Sequence, residues 1–79
     1  MTVKVKLSSV LRGLVQGYQP DNGLDYDLEP GRTVAQLLES LGIPAKKVKI
    51  IMVNGHHASL DQALSDGDRV GLFPPVGGG

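Results

Sequence analysis

Seventy-nine residues suffice for one domain and not for two, so any function must be carried by one small core and its surface. Eight basic and eight acidic side chains cancel, and the only aromatics are Tyr18, Tyr26 and Phe73; this removes both the cationic footprint for a phosphate backbone and the stacking platform for single strands, so no nucleic-acid partner is expected. Cysteine is absent, which excludes a disulfide framework and thiolate zinc sites and is compatible with a reducing cytoplasmic setting.

Val3, Val5 and Leu7 alternate with Lys4, Lys6 and Ser8, the period of a strand with one face on a core and the other in water. The same alternation stands where a signal peptide would be continuously apolar, and no later segment has the length of a membrane span; a soluble, unprocessed, cytoplasmic chain with no membrane partner is expected. Val10, Leu11, Leu14 and Val15 then recur at helical spacing before Gly17, which predicts a short helix, and residues 19–23 crowd Pro, Asp, Asn and Gly into a surface loop. Leu24, Tyr26 and Leu28 resume the alternation up to Glu29-Pro30-Gly31, predicting a second strand beside the first.

Thr33 and Gln36 have the spacing of a capping box, Val34, Leu37, Leu38 and Leu41 mark one helical face, and Gly42 and Pro44 end it. Residues 48–53 are apolar and β-branched apart from Lys49, as in a central strand paired on both sides. Asn54-Gly55 supplies the positive φ angles of a tight hairpin. Leu60, Leu64 and the turn Asp66-Gly67 lead to a last short strand over residues 69–73, closed by Pro74-Pro75. Strand, strand, helix, strand, strand is the order of the ubiquitin-like β-grasp, an α+β fold in which one main helix crosses a mixed sheet. One such domain is expected over residues 1–79, with 76–79 as a flexible reactive tail.

Pro74-Pro75-Val76-Gly77-Gly78-Gly79 sets two stiff residues before a run nearly free of side chains. Proline fixes φ and aims the chain, whereas glycine takes almost any backbone angle at minimal width. Extended, residues 76–79 span roughly 13 Å and could place a carboxylate deep in a partner's pocket. A carboxylate is a poor electrophile, and turning it into an acyl adenylate requires it to lie against the α-phosphate of a bound ATP. With no thiol in the chain, sulfur could be held only on the terminal carboxyl of Gly79, as a thiocarboxylate. The plain alternative is a frayed glycine end without a role.

The stretch VNGHHASLDQALSDGDRVGLFPPVGGG resembles the carboxyl-terminal third of the MoaD/ThiS sulfur carriers, above all the small subunits of molybdopterin synthase. The shared elements are Asn54-Gly55, Leu60, Leu64, Asp66-Gly67-Asp68, Val70, Pro74-Pro75-Val76 and Gly78-Gly79. Thr33-Val34 with Leu37-Leu38 is similar to the family's central helix start, and Leu11-Arg12 to its early loop. The resemblance implies adenylation of Gly79 by an enzyme of the ubiquitin-activating type, which uses the ATP; the carrier itself binds no cofactor. A sulfur donor then replaces AMP by sulfur, and Gly78-Gly79 enter a large catalytic subunit that holds a pterin precursor. Gly13 stands where pterin-type loops carry an acidic residue, and a triple glycine also ends thiazole-type carriers, so the thiamin branch stays open. So do a ubiquitin-like protein modifier and a non-reactive β-grasp binding module.

If Val70 and Leu72 face the core, Gly71 and Phe73 face outward, and Phe73 either forms a docking patch with Pro74, Pro75, Val76 and Gly77 or covers the core's edge. His56-His57 lacks a third ligand at a suitable spacing and reads as hairpin surface, not metal. Lys46, Lys47 and Lys49 read as a solvated face, and Asp66-Gly67-Asp68 as a turn rather than a calcium loop.

Overall fold

The computed structural model describes residues 1–19 and 21–75. Val76, Gly77, Gly78 and Gly79, and with them the reactive end of the predicted tail, lie outside the described residues.

The first alternation forms β1 (Thr2–Leu7), with Val3, Val5 and Leu7 buried. The second forms β2 (Leu24–Asp27), antiparallel to β1 with Val3 opposite Tyr26 and Val5 opposite Leu24. The main helix is α1 (Val34–Leu41). Its capping box is realised in full: the Thr33 hydroxyl accepts from the Gln36 backbone N–H at 3.3 Å, and the Gln36 side chain accepts from the Thr33 N–H at 2.9 Å. Two further first-turn amides, of Val34 and Ala35, donate at 3.0 Å to the carbonyls of Gln62 and Leu60, so the loop after the hairpin clasps the helix start. At the other end Gly42 takes the left-handed conformation (φ 78°), and its N–H returns to the carbonyls of Leu38 and Glu39.

β3 (Ile50–Val53) and β4 (His56–His57) flank a hairpin in which Asn54 (φ 53°) and Gly55 (φ 82°) have the positive angles that this dipeptide favours. β5 (Arg69–Phe73) completes a five-stranded sheet of order β2-β1-β5-β3-β4, parallel between β1 and β5 and otherwise antiparallel. Val34, Leu37 and Leu38 of the helix meet Val3, Val5, Leu7, Ile51, Val53, Val70 and Leu72 in one core cluster on the inner face. Burying each leucine there contributes about 1.5–3 kcal/mol. This is the ubiquitin-like β-grasp.

Three expectations need correction. The short helix expected after β1 is present over Ser9–Leu14, but it is of the 3-10 type and not an α-helix: Ser8 makes no side-chain cap, Gly13 and Gly17 weaken any continuation, and of its aliphatic side chains Leu11 is buried while Val10 is 73% exposed. The apolar run 48–53 yields a strand only from Ile50, because a second 3-10 turn, Ala45–Lys47, binds the Val48 N–H through the Ala45 carbonyl at 3.0 Å. That strand is paired on both sides, but the middle of the sheet is β5, held by β1 and β3. The two-residue β4 was not foreseen.

Candidate functional site

The site expected from the sequence is the tail and its base, and the sheet register decides what surrounds that base. β5 alternates strictly: Val70 and Leu72 are fully buried, so Arg69, Gly71 and Phe73 stand on the outer face. Ile50 lies opposite Phe73 and Met52 opposite Gly71, while on the other flank Lys6 lies opposite Gly71 and Lys4 opposite Arg69. The outer face thus carries an apolar group, Ile50, Met52, Gly71 and Phe73, bordered by the cations of β1 and Arg69.

Phe73 is 36% exposed and belongs neither to the core nor to the half-buried residues packed against it. A place on the outer face is what the docking reading of Phe73 requires. Its ring lies back along its own strand: a Cβ built on Gly71 would sit 3.3 Å from Phe73 Cε1 and 3.8 Å from Met52 Cβ. The missing side chain at Gly71 gives the ring its place. Pro74 is half-buried and Pro75 exposed beyond it.

The start of β5 is fixed by side chains of two turns. Asn54 Nδ2 donates to Asp68 Oδ1 at 2.9 Å, Asn54 Oδ1 accepts from the Arg69 N–H at 2.9 Å, and Asp68 Oδ2 accepts from the Ser65 N–H at 2.8 Å. Asp66 Oδ1 accepts from the Thr2 N–H at 2.8 Å. Asn54-Gly55 and Asp66-Gly67-Asp68, separate turn signals in the sequence, are one clamp that sets the register of β5 against β1 and β3. With its carboxylates so engaged, Asp66-Gly67-Asp68 is a turn, as expected.

The other candidates differ in their distance from this site: His57 lies opposite Met52, and the Lys49 N–H donates to the Phe73 carbonyl at 2.8 Å. His56 and His57 are exposed, and among the described residues no three His, Cys, Asp or Glu side chains gather as metal ligands. Lys46, Lys47 and Lys49 are exposed without ion pairs among the described residues. Glu29, before α1, has its carboxyl held below the usual range because it accepts from Arg32 at 2.8 Å, far along the chain from β5. Among the described residues no helix is long and apolar enough to cross a membrane.

The ThiS family model matches residues 22–79, from just before β2 through the last glycine. The chain belongs to the ThiS family. Three solved structures share the ThiS-family fold seen here. A Pyrococcus furiosus protein assigned as molybdopterin converting factor, subunit 1, is 32% identical over 96% of this chain and 99% of its own, with a TM-score of 0.74. Small archaeal modifier protein 1 of Haloferax volcanii is 26% identical over 95% and 98%, at 0.72. One chain of the complex of subunits 1 and 2 of the molybdopterin-converting factor of Helicobacter pylori is 26% identical over 100% of this chain and 100% of its own, at 0.54. Among curated proteins, none matches the chain. The MoaD/ThiS type of ubiquitin-like sulfur-carrier fold is thereby established for this chain.

Proposed function

We propose that this chain is a sulfur carrier for the biosynthesis of molybdopterin, the pterin of molybdenum and tungsten cofactors, and that its reacting group is the carboxylate of Gly79. The observation that carries this reading is the ThiS-family match running to Gly79, joined to a sheet whose last strand ends at Phe73, with Pro74-Pro75 and Val76 between it and the three glycines. An adenylating enzyme of the ubiquitin-activating type takes up the tail; the carboxylate attacks the α-phosphate of its ATP and pyrophosphate leaves. A hydrosulfide equivalent from the sulfur donor then attacks the acyl carbon, AMP leaves, and a thiocarboxylate remains. Transfer to the acceptor and hydrolysis restore the carboxylate. Gly78 and Gly77 keep the channel unobstructed, while the carrier supplies position and no catalytic group of its own.

The pterin acceptor is favoured over thiazole by the Pyrococcus furiosus likeness at 32% identity and by the Helicobacter pylori complex of subunit 1 with subunit 2, which supports a large catalytic subunit as second partner. The likeness to an archaeal modifier protein favours, as a second reading, conjugation of the same activated tail to target lysines. Mass spectrometry of the chain from its native host separates them. The carrier gains about 16 Da when oxygen is exchanged for sulfur. A ladder of conjugates instead supports the modifier, and an unmodified chain that tolerates loss of Gly78-Gly79 removes both.

Two substitutions probe the docking role of Phe73. Phe73→Ala should weaken binding of the adenylating enzyme about tenfold, an aromatic anchor's effect, yet cost only about 1 kcal/mol of stability because the ring lies outside the core. Gly71→Ala should separate the two quantities further. Alanine relieves the entropic penalty of glycine in a strand, about 0.5–1 kcal/mol, but its Cβ displaces the ring tip. Melting temperature is then unchanged or raised while affinity falls several-fold, measured by calorimetry and titration on one preparation. Parallel loss of both would count against the outer face as a docking surface.

A further inference from the structure

The edge from which β5 runs out to the prolines is shared with the turn that follows β1. Because these strands are parallel, their ends lie side by side: Leu7 is opposite Leu72, and the Ser8 N–H donates to the Leu72 carbonyl at 3.2 Å. The 3-10 turn Ser9–Leu14 starts at that point, and it presents Val10. At 73% exposure Val10 is twice as open as the other exposed large apolar residues among those described, Leu14, Leu60 and Phe73, at 36–37%.

Single exposed aliphatics are ordinary. Val10 differs in how it is held. Leu11 beside it is fully buried, and its N–H donates to the Ser8 carbonyl at 3.2 Å. Arg12 Nε donates to the Leu7 carbonyl at 3.1 Å, and the Tyr18 hydroxyl accepts from the Leu7 N–H at 2.8 Å. The turn is tied to the end of β1 from both directions, so a β-branched side chain with one rotatable bond is fixed outward and has little freedom left to lose on contact.

Tail length then says what meets it. Residues 76–79 span roughly 13 Å at most, so a Gly79 carboxylate inside a partner's nucleotide site brings the tail-exit edge of the sheet against the mouth of that channel. We propose that Val10 is a docking residue that seats in an apolar recess on the rim of the adenylating enzyme's tail channel. Arg12 and Lys49 share this edge, Lys49 through its N–H to the Phe73 carbonyl at 2.8 Å, and neither is in an ion pair among the described residues; carboxylates beside the recess would complement them. This rests on the sulfur-carrier reading and adds a second contact region to its outer-face site.

The test is carrier-dependent ATP–pyrophosphate exchange by the adenylating enzyme of the same organism, with the full chain as substrate. Val10→Asp should raise the carrier's KM about tenfold and Val10→Ser three- to fivefold, with kcat within about twofold and unchanged melting temperatures, as burial of a valine implies. If Val10→Asp leaves KM unchanged while Phe73→Ala raises it, the proposal is overturned and the carrier reading stands. If only Val10→Asp acts and Val10→Ser matches the unsubstituted chain, the recess is not apolar and the proposal is likewise overturned. No exchange with the unsubstituted chain would bring down the carrier reading itself.

Discussion

One alanine added after Gly79, in a form resistant to cleavage, should reduce sulfur transfer at least about 100-fold while leaving the melting temperature where it was. Misplacing a reacting group by about 1 Å can cost on the order of 100-fold in rate, and a further residue moves the carboxylate by roughly 3.3–3.6 Å. The added methyl also puts width into a channel that three glycines leave narrow. No thiol elsewhere in the chain can take over, because there is no cysteine. Stability is spared because the core cluster of the described residues closes at Leu72, with Phe73 already outside it. Removing Gly79 displaces the carboxylate equally in the other direction and should be as damaging. Thiocarboxylate formation by mass and melting by circular dichroism on the same samples check both halves; an extended, uncleaved chain that still restores the pathway would end the carrier reading.

How far the sequence foretold this molecule depended on whether a signal was local. The capping box of Thr33 and Gln36, the left-handed Gly42 and the Asn54-Gly55 hairpin are each decided within a few residues, and the structure has all three. The outward placement of Gly71 and Phe73 followed from alternation alone once Val70 and Leu72 were assigned to the core. Helical spacing over Val10, Leu11, Leu14 and Val15 foretold a helix but not its 3-10 form, because apolar periodicity is a claim about burial, and the core takes Leu11 fully and Val15 in part while Val10 and Leu14 stay exposed. The clamp of Asn54 on Asp68 joins residues fourteen apart, and the resemblance that grouped their motifs gave no reason for it. The exposure of Val10 becomes meaningful only through the parallel pairing of β1 with β5, a long-range contact.

Gly23 is the plainest case of a residue whose role was illegible. In the sequence it is one more turn former in a polar loop; in the structure it lies against β1. Its φ is +74°, and a Cβ built on it would sit 2.8 Å from the backbone carbonyl oxygen of Val5, with the Lys6 and Lys4 stems at 3.2 and 3.4 Å. The lysine stems can swing away. The carbonyl cannot, because Val5 is paired on both sides, with Leu24 and with Val70.

Gly23→Ala should therefore cost about 3 kcal/mol: about 1–2 from the left-handed backbone and the rest from forcing β2 off β1. At about 4–8 °C per kcal/mol for a domain of this size, melting should fall by roughly 12–24 °C. Gly31→Ala supplies the control, since Gly31 has φ +84° and open space around its Cβ position, so it carries the backbone penalty alone. Equal losses for the two variants would show that β1 yields at Val5. A larger loss at Gly23, with outer-face docking weakened in the folded fraction, would show that β1 passes the displacement to β5, whose outer face carries Gly71 and Phe73.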